Sequence, residues 1–176
     1  MADAADLDAT LDPALREFIA ITEIDDGWRF ADALFLRKYA HPAPRYPHHL
    51  GLFYRDADGR YELAHFLHFL PAREMALIGG ACTDGDVVRR MSDAQRAAVH
   101  ASGGLMLQAT RYGLAKFGAH KDAIFGHCGD ARSFGVLMRA GFQPVDHPHL
   151  VVYWPRLLPE QRRQQLIDEA DALGAF

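Results

Sequence analysis

Residues 127–142 read HCGDARSFGVLMRAGF, which sets a histidine, a cysteine and an aspartate within four positions. A Cys–His pair can carry thioester chemistry where its surroundings stabilise the thiolate. An imidazole with the ordinary pKa of ~6.5 suits proton transfer near neutral pH. The run can equally be a strand end feeding a helix. Adjacent side chains on a strand point to opposite faces. That separates His127 from Cys128 and leaves Cys128 as a small core residue. Asp130 precedes an amphipathic run and reads as its N-cap. His127 therefore stands as the candidate general base, with a plain loop hydrogen bond as the bland alternative. Asp84, in TDGD just beyond an apolar run, is the second candidate, with a turn role as its alternative.

Other histidines pair less well. His65 and His68 lie on one strand candidate and alternate in facing, so H-x-x-H there makes no metal pair. His147 and His149 share a face if extended, but Pro148 and a turn-like setting argue against ligation. No metal is expected.

These residues need elements to hold them. Residues 12–39 are expected to be helical in one or two pieces, opened by Pro13 and broken at Asp25-Asp26-Gly27. HPAPRYPHH is a connector. His49–Tyr54 and Tyr61–Leu70 are strand candidates joined by the DADG turn, hence a hairpin. Met75–Cys82 is a third strand, and its Gly79-Gly80 pair invites a bulge or close approach by a ligand. Ser92 and Gln95 form a capping box. Ser102-Gly103-Gly104 separates that helix from Leu105–Phe117, closed by Gly118. Ala123–Cys128 is a short strand. The helix after Asp130 buries Phe134, Leu137 and Met138, carries Arg139 in its last turn and stops at Gly141. Leu150–Trp154 is the last strand, and a C-terminal helix starts near Pro159. Travel from 75–82 to 123–128 through helices implies a parallel pair with a right-handed crossover.

The chain has 176 residues, 49% hydrophobic and 24% charged, with a formal charge of −4. That is a globular composition, and it lacks the basic footprint of broad nucleic-acid binding. Two cysteines suit reduced thiols rather than a disulfide framework. With no signal-like start and no run of ~20 apolar residues, the expectation is cytoplasmic, off the membrane.

The element order resembles the GNAT superfamily of acyl-CoA-dependent N-acyltransferases over residues 46–154. The family often shows N-x-x-[AS]-x-x-x-Y-x-x-x-G-F in its last strand–helix unit. Asp130, Ser133, Leu137, Gly141 and Phe142 fall at those spacings, with leucine in place of the tyrosine. The family's pyrophosphate loop, [QR]-x-x-G-x-[GA], has its counterpart in ASGG (101–104), with Val99 and Ser102 departing from it.

The resemblance implies an α+β (mixed α/β) fold. Its sheet is largely antiparallel, with a central splayed parallel pair flanked by helices. It implies one GNAT-like domain over 1–176: a helical segment 1–45, a core 46–154 and a C-terminal helix 155–176. Acetyl-CoA or another acyl-CoA is the implied cosubstrate. Ile78, Gly79, Gly80 and Ala81 would meet its arm, with Ser133 nearby. Ser102, Gly103 and Gly104 would meet its pyrophosphate at a helix N-terminus. The implied function is direct acyl transfer to the amine of a small molecule, with no nucleic acid and a possible homodimer. A relative that binds acyl-CoA or a partner without turnover is the alternative, and an unrelated α+β binding domain is a third reading.

Overall fold

The computed structural model describes residues 7–174 and Phe176. One seven-stranded sheet runs in the order β1-β2-β3-β4-β5-β7-β6. Its strands are β1 (Ile19–Glu23), β2 (His48–Arg55), β3 (Tyr61–Ala72), β4 (Met75–Thr83), β5 (Ala123–His127), β6 (Gln143–Pro144) and β7 (Leu150–Tyr153). The helices are α1 (Trp28–Tyr39), α2 (Gly85–Arg90), α3 (Asp93–Ala101), α4 (Leu105–Phe117), α5 (Ala131–Arg139) and α6 (Glu160–Asp171). All neighbouring strands are antiparallel except β4 and β5. The fold is thus the expected mixed α/β arrangement with a central parallel pair.

Alternation along β4 and β5 sorts the core to two faces. Ala76, Ile78 and Ile124 pack with Leu105, Ala109 and Leu137, on the side of α4 and α5. Leu77 and Phe125 pack with Leu166 and Ala170 of α6. Phe66 and Cys82 pack on that second face with Ala31, Leu34 and Phe35 of α1.

The expected helix over 12–39 is corrected. Pro13–Leu15 makes only a 3-10 turn, capped by Asp12. Ile19–Glu23 is then the edge strand β1, paired from Ile19↔Tyr54 to Glu23↔Leu50. The sequence IAITE alternates and is β-branched at three of five positions, which favours a pleated edge over a helix. Only Trp28–Tyr39 is the long helix, ended by Ala40 in a left-handed conformation at φ 59°.

Other expectations meet local corrections. An extra helix, α2, follows β4. Gly118 closes α4 at φ −72°, leading into a 3-10 turn rather than a left-handed cap. On α5 the buried residues are Val136 and Leu137, while Phe134 is exposed. The Ser92–Gln95 capping box forms as read. Gly141 is left-handed at φ 96°.

Candidate active site between two diverging strands

β4 and β5 pair only from Met75↔Ala123 to Ile78↔Gly126. Beyond that the strands part. On its other edge β4 bulges: Leu67 faces Ala81 and Phe69 faces Ile78, so Gly79 and Gly80 together oppose His68. The bulge is what the Gly-Gly pair invited. It re-aims the backbone of β4 at the point where β5 leaves it.

A cleft of about 600 Å³ fills the gap. Ile78, Gly79, Gly80 and Ala81 line one side, and His127 and Ser133 line the other. Six of the anticipated residues therefore meet in one place.

The remaining anticipated residues lie elsewhere. Asp84 is not among the lining groups. Its Oδ1 accepts from the amides of Asp86 and Val87, capping α2, and its Oδ2 accepts from Arg37 at 2.7 Å. Burial opposes ionisation, but those amides and the Arg37 guanidinium hold its carboxyl below the usual range. Asp84 is a cap and an ion-pair partner here, not a cleft base.

The amides of Ser102, Gly103 and Gly104 were expected to face phosphate. Instead they bond the carbonyls of Ala98, His100 and Val99, closing α3. Ser102 Oγ also turns inward, donating to Val99 O at 2.9 Å. The unbonded donors at this helix start are the amides of Leu105, Met106 and Leu107, in the first turn of α4. Gly103 and Gly104 hold φ +91° and +93°, and a Cβ on Gly104 would meet nothing within 4 Å. The loop therefore leaves open space in front of those amides. Arg139 reaches it from α5, its Nη2 donating to Gly103 O at 3.4 Å. Met106 lines the cleft and links the two regions.

Cys128 lines the cleft beside His127, because β5 ends at His127 and strand alternation stops applying. Burial pushes its thiol up, so it stays protonated and is no thiolate nucleophile. Asp130 is the α5 cap, accepting from the Arg132 and Ser133 amides at 2.7 and 2.9 Å. Leu137 is 2% exposed and fills the space over Gly126.

Sequence reasoning missed the groups that α1 and β3 bring. Tyr39 lines the cleft, and its hydroxyl donates to Ala81 O at 2.8 Å. Burial, then Cys82, raises that phenol, so it stays protonated. Lys38 and His65 line the same cleft. No spacing in the sequence links 38–39 to 78–81. The one available signal for His65 was an ionisable residue amid the apolar run of β3, a signal that His68 shares. Among the described residues, no three His, Cys, Asp or Glu side chains group to hold a metal.

No protein-family model matches the sequence, and no curated protein matches it. Solved structures do. A candidate acetyltransferase from Pyrococcus horikoshii superposes with TM-score 0.53 at 15% identity, over 73% of this chain and 44% of its own.

This chain has the GNAT acyltransferase fold.

It spans under half the length of that Pyrococcus protein. The GNAT fold also matches the ribosomal-protein-S18-alanine N-acetyltransferase from Escherichia coli, at 14% identity and TM-score 0.44 over 81% of this chain and 97% of that one. A third match is AtaT complexed with acetyl-methionyl-tRNAfMet, at 9% identity and TM-score 0.40 over 85% and 99%. The expectation of a small-molecule amine acceptor and no nucleic acid is corrected on this point. That matched structure holds acetyl-methionyl-tRNAfMet, which is a nucleic acid and not a small-molecule acceptor. Among the described residues, no helix is long and apolar enough to cross a membrane.

Proposed function

We propose that this chain transfers an acyl group from acetyl-CoA or another acyl-CoA to an amine, in the cleft between β4 and β5. The observation that carries this reading is the parting of the strands beyond Ile78–Gly126, beside the Gly79-Gly80 bulge. Acyl-CoA supplies an activated thioester. The backbone of Ile78–Ala81 holds its arm. The first-turn amides of α4 and the Arg139 guanidinium receive its pyrophosphate.

The chemistry is direct. The amine nitrogen forms a bond to the carbonyl carbon, the C–S bond breaks, and its electron pair leaves on sulfur. His127 takes the amine proton on a ring nitrogen. Leu137 offers no proton to the sulfur. Tyr39, the one tyrosine lining the cleft among the described residues, supplies a protonated phenol from α1 instead. Holding both reactants in one gap contributes much of the rate. A cytoplasmic setting accompanies this reading, supported by two cysteines that are free.

The test has two steps. Acetyl-CoA at 100 times its Kd should add about 2.7 kcal/mol of apparent stability. Free CoA should then appear when acetyl-CoA is mixed with amines, peptides and aminoacyl-tRNA included. Both cysteines are buried, so a thiol reagent reports CoA with little background. Binding without release would favour the non-catalytic alternative, for which the apolar Leu137 is the specific support. Absence of any thermal shift with acetyl-CoA or longer acyl-CoAs would sink both readings.

A further inference from the structure

The reaction above leaves His65 unused. Its ring is 1% exposed and lines the cleft with the β4 bulge and His127. Nδ1 lies 2.8 Å from Thr83 Oγ1, which fixes the plane of the ring. Nε2 is buried and has no partner. Buried polar nitrogens are rarely left unpaired, so such an atom at a cleft points to a ligand. His49 and His68 also carry unpaired ring nitrogens, but neither lines the cleft. His68 packs against Tyr46 and His49 lies against Phe66.

Two cations, Lys38 and Arg132, line this cleft with one carboxylate, Asp130, which is engaged in capping α5. Lys38, from the last turn of α1, lines the same cleft. The carboxylate just past Thr83, Asp84, is taken by Arg37. Burial and then Lys38 hold the His65 imidazole neutral, with its pKa lowered to about 3. A neutral ring can accept an N–H, but it cannot draw a proton from an ammonium. Lys38 repels an ammonium as well.

Resting on the acyl-transfer reading, we propose that His65 Nε2 anchors the acceptor nitrogen, and that this acceptor is a weakly basic α-amine rather than a lysine ε-amine. Nδ1–H donates to Thr83 Oγ1, and the Nε2 lone pair accepts one N–H of the uncharged amine. The amine lone pair is left for the acyl carbon. An α-amine, with a pKa of about 8, is uncharged near pH 7 about two orders of magnitude more often than a lysine amine at about 10.4. His65 is a positioning residue, and the proton still leaves to His127.

Three measurements decide this. The first is the 15N spectrum of histidine-labelled protein, titrated with a lysine-free peptide bearing a free α-amine. The expected result is an unprotonated Nε2 on His65 whose resonance moves with peptide. A protonated Nε2, or one unmoved at millimolar peptide, overturns the anchor. This readout needs neither turnover nor a folded variant, so it stands even if acyl transfer is absent. The second compares CoA release from that peptide with release from an Nα-blocked peptide carrying one lysine. The α-amine should lead in kcat/KM by about a hundredfold at pH 7. Equal rates, or a lysine preference, overturn the class assignment. His65→Phe should raise KM for the α-amine peptide about tenfold, with KM for acetyl-CoA unchanged and part of the loss recovered in His65→Gln. An unchanged peptide KM in a folded His65→Phe protein also overturns the anchor. Failure of acetyl-CoA to bind or react would strike the acyl-transfer reading alone.

Discussion

The His68 ring occupies the space that a side chain at Gly79 would need. The ring is held there by Tyr46, whose centroid lies 4.4 Å away. The bulge that opens β4 to the cleft is thus seated on a side chain of the neighbouring strand. A histidine on β3 and a glycine on β4 form one device, although ten residues separate them in sequence.

Gly79→Ala tests that device. A methyl group would collide with His68, whose ring cannot swing away without losing Tyr46. Overpacking of this kind costs about 1–3 kcal/mol, read as a lower urea midpoint. Gly80→Ala should cost less, since its nearest neighbour is Phe35 Cε1 at 3.2 Å. In a His68→Ala background the Gly79→Ala penalty should largely vanish. A penalty of the same size in both backgrounds would show that the two positions are independent.

Buried histidines set a dependence on acid. His65 and His68 titrate at about 3 when folded, chiefly through burial, against about 6.5 when unfolded. On acidification the unfolded chain takes up protons first. Stability is therefore full above about pH 6.5 and falls as pH drops through the window from 6.5 to 3. Each ring removes about 1.4 kcal/mol per pH unit inside that window. Urea unfolding at pH 7, 6 and 5 should show the slope, and His68→Leu should flatten it. Equal slopes in the two proteins would remove His68 from the account.

Asp130 acts in the opposite direction to a base. The Ser133 amide, with the Arg132 amide, holds its carboxyl below the usual range. A depressed folded pKa contributes stability above the unfolded value of about 3.9 and loses it as pH falls through the folded one. Asp130→Ala should cost about 0.5–2 kcal/mol at pH 7, and less at pH 2. If loss of activity greatly exceeded that loss of stability, Asp130 would have a catalytic part that capping does not explain.

Arg139 offers a binding test away from the acyl group. Removing its guanidinium from the Gly103 carbonyl edge should weaken CoA binding about tenfold, the size of one charge-assisted hydrogen bond. The salt dependence of binding should also become shallower. Unchanged affinity in Arg139→Ala would place the phosphates elsewhere.

Much of the fold was legible because its signals are local. Ser92 and Gln95, Asp130, Gly141 and the DADG turn each act within a few residues, so chain order alone exposes them. The missed strand β1 shows the limit. IAITE is short, and its identity depends on a partner, β2, whose Leu50 lies twenty-seven positions beyond Glu23 in pairing but not in spacing. Edge strands are chosen by what they pair with, and that choice is not written in the strand.

The sequence by itself determined the Gly-Gly bulge, the capped helix after β5 and the parallel crossover that brings 78–81 to 127–133. Tertiary structure decided the rest of the cleft. It turned Asp84 to Arg37 and bonded the Ser102–Gly104 amides back to α3. It also placed Lys38, Tyr39 and His65 where strand β4 opens. The physical reason is that caps and turns answer to neighbours in the chain. Side chains that converge on a gap are set by how helix α1 and strand β3 pack across the sheet.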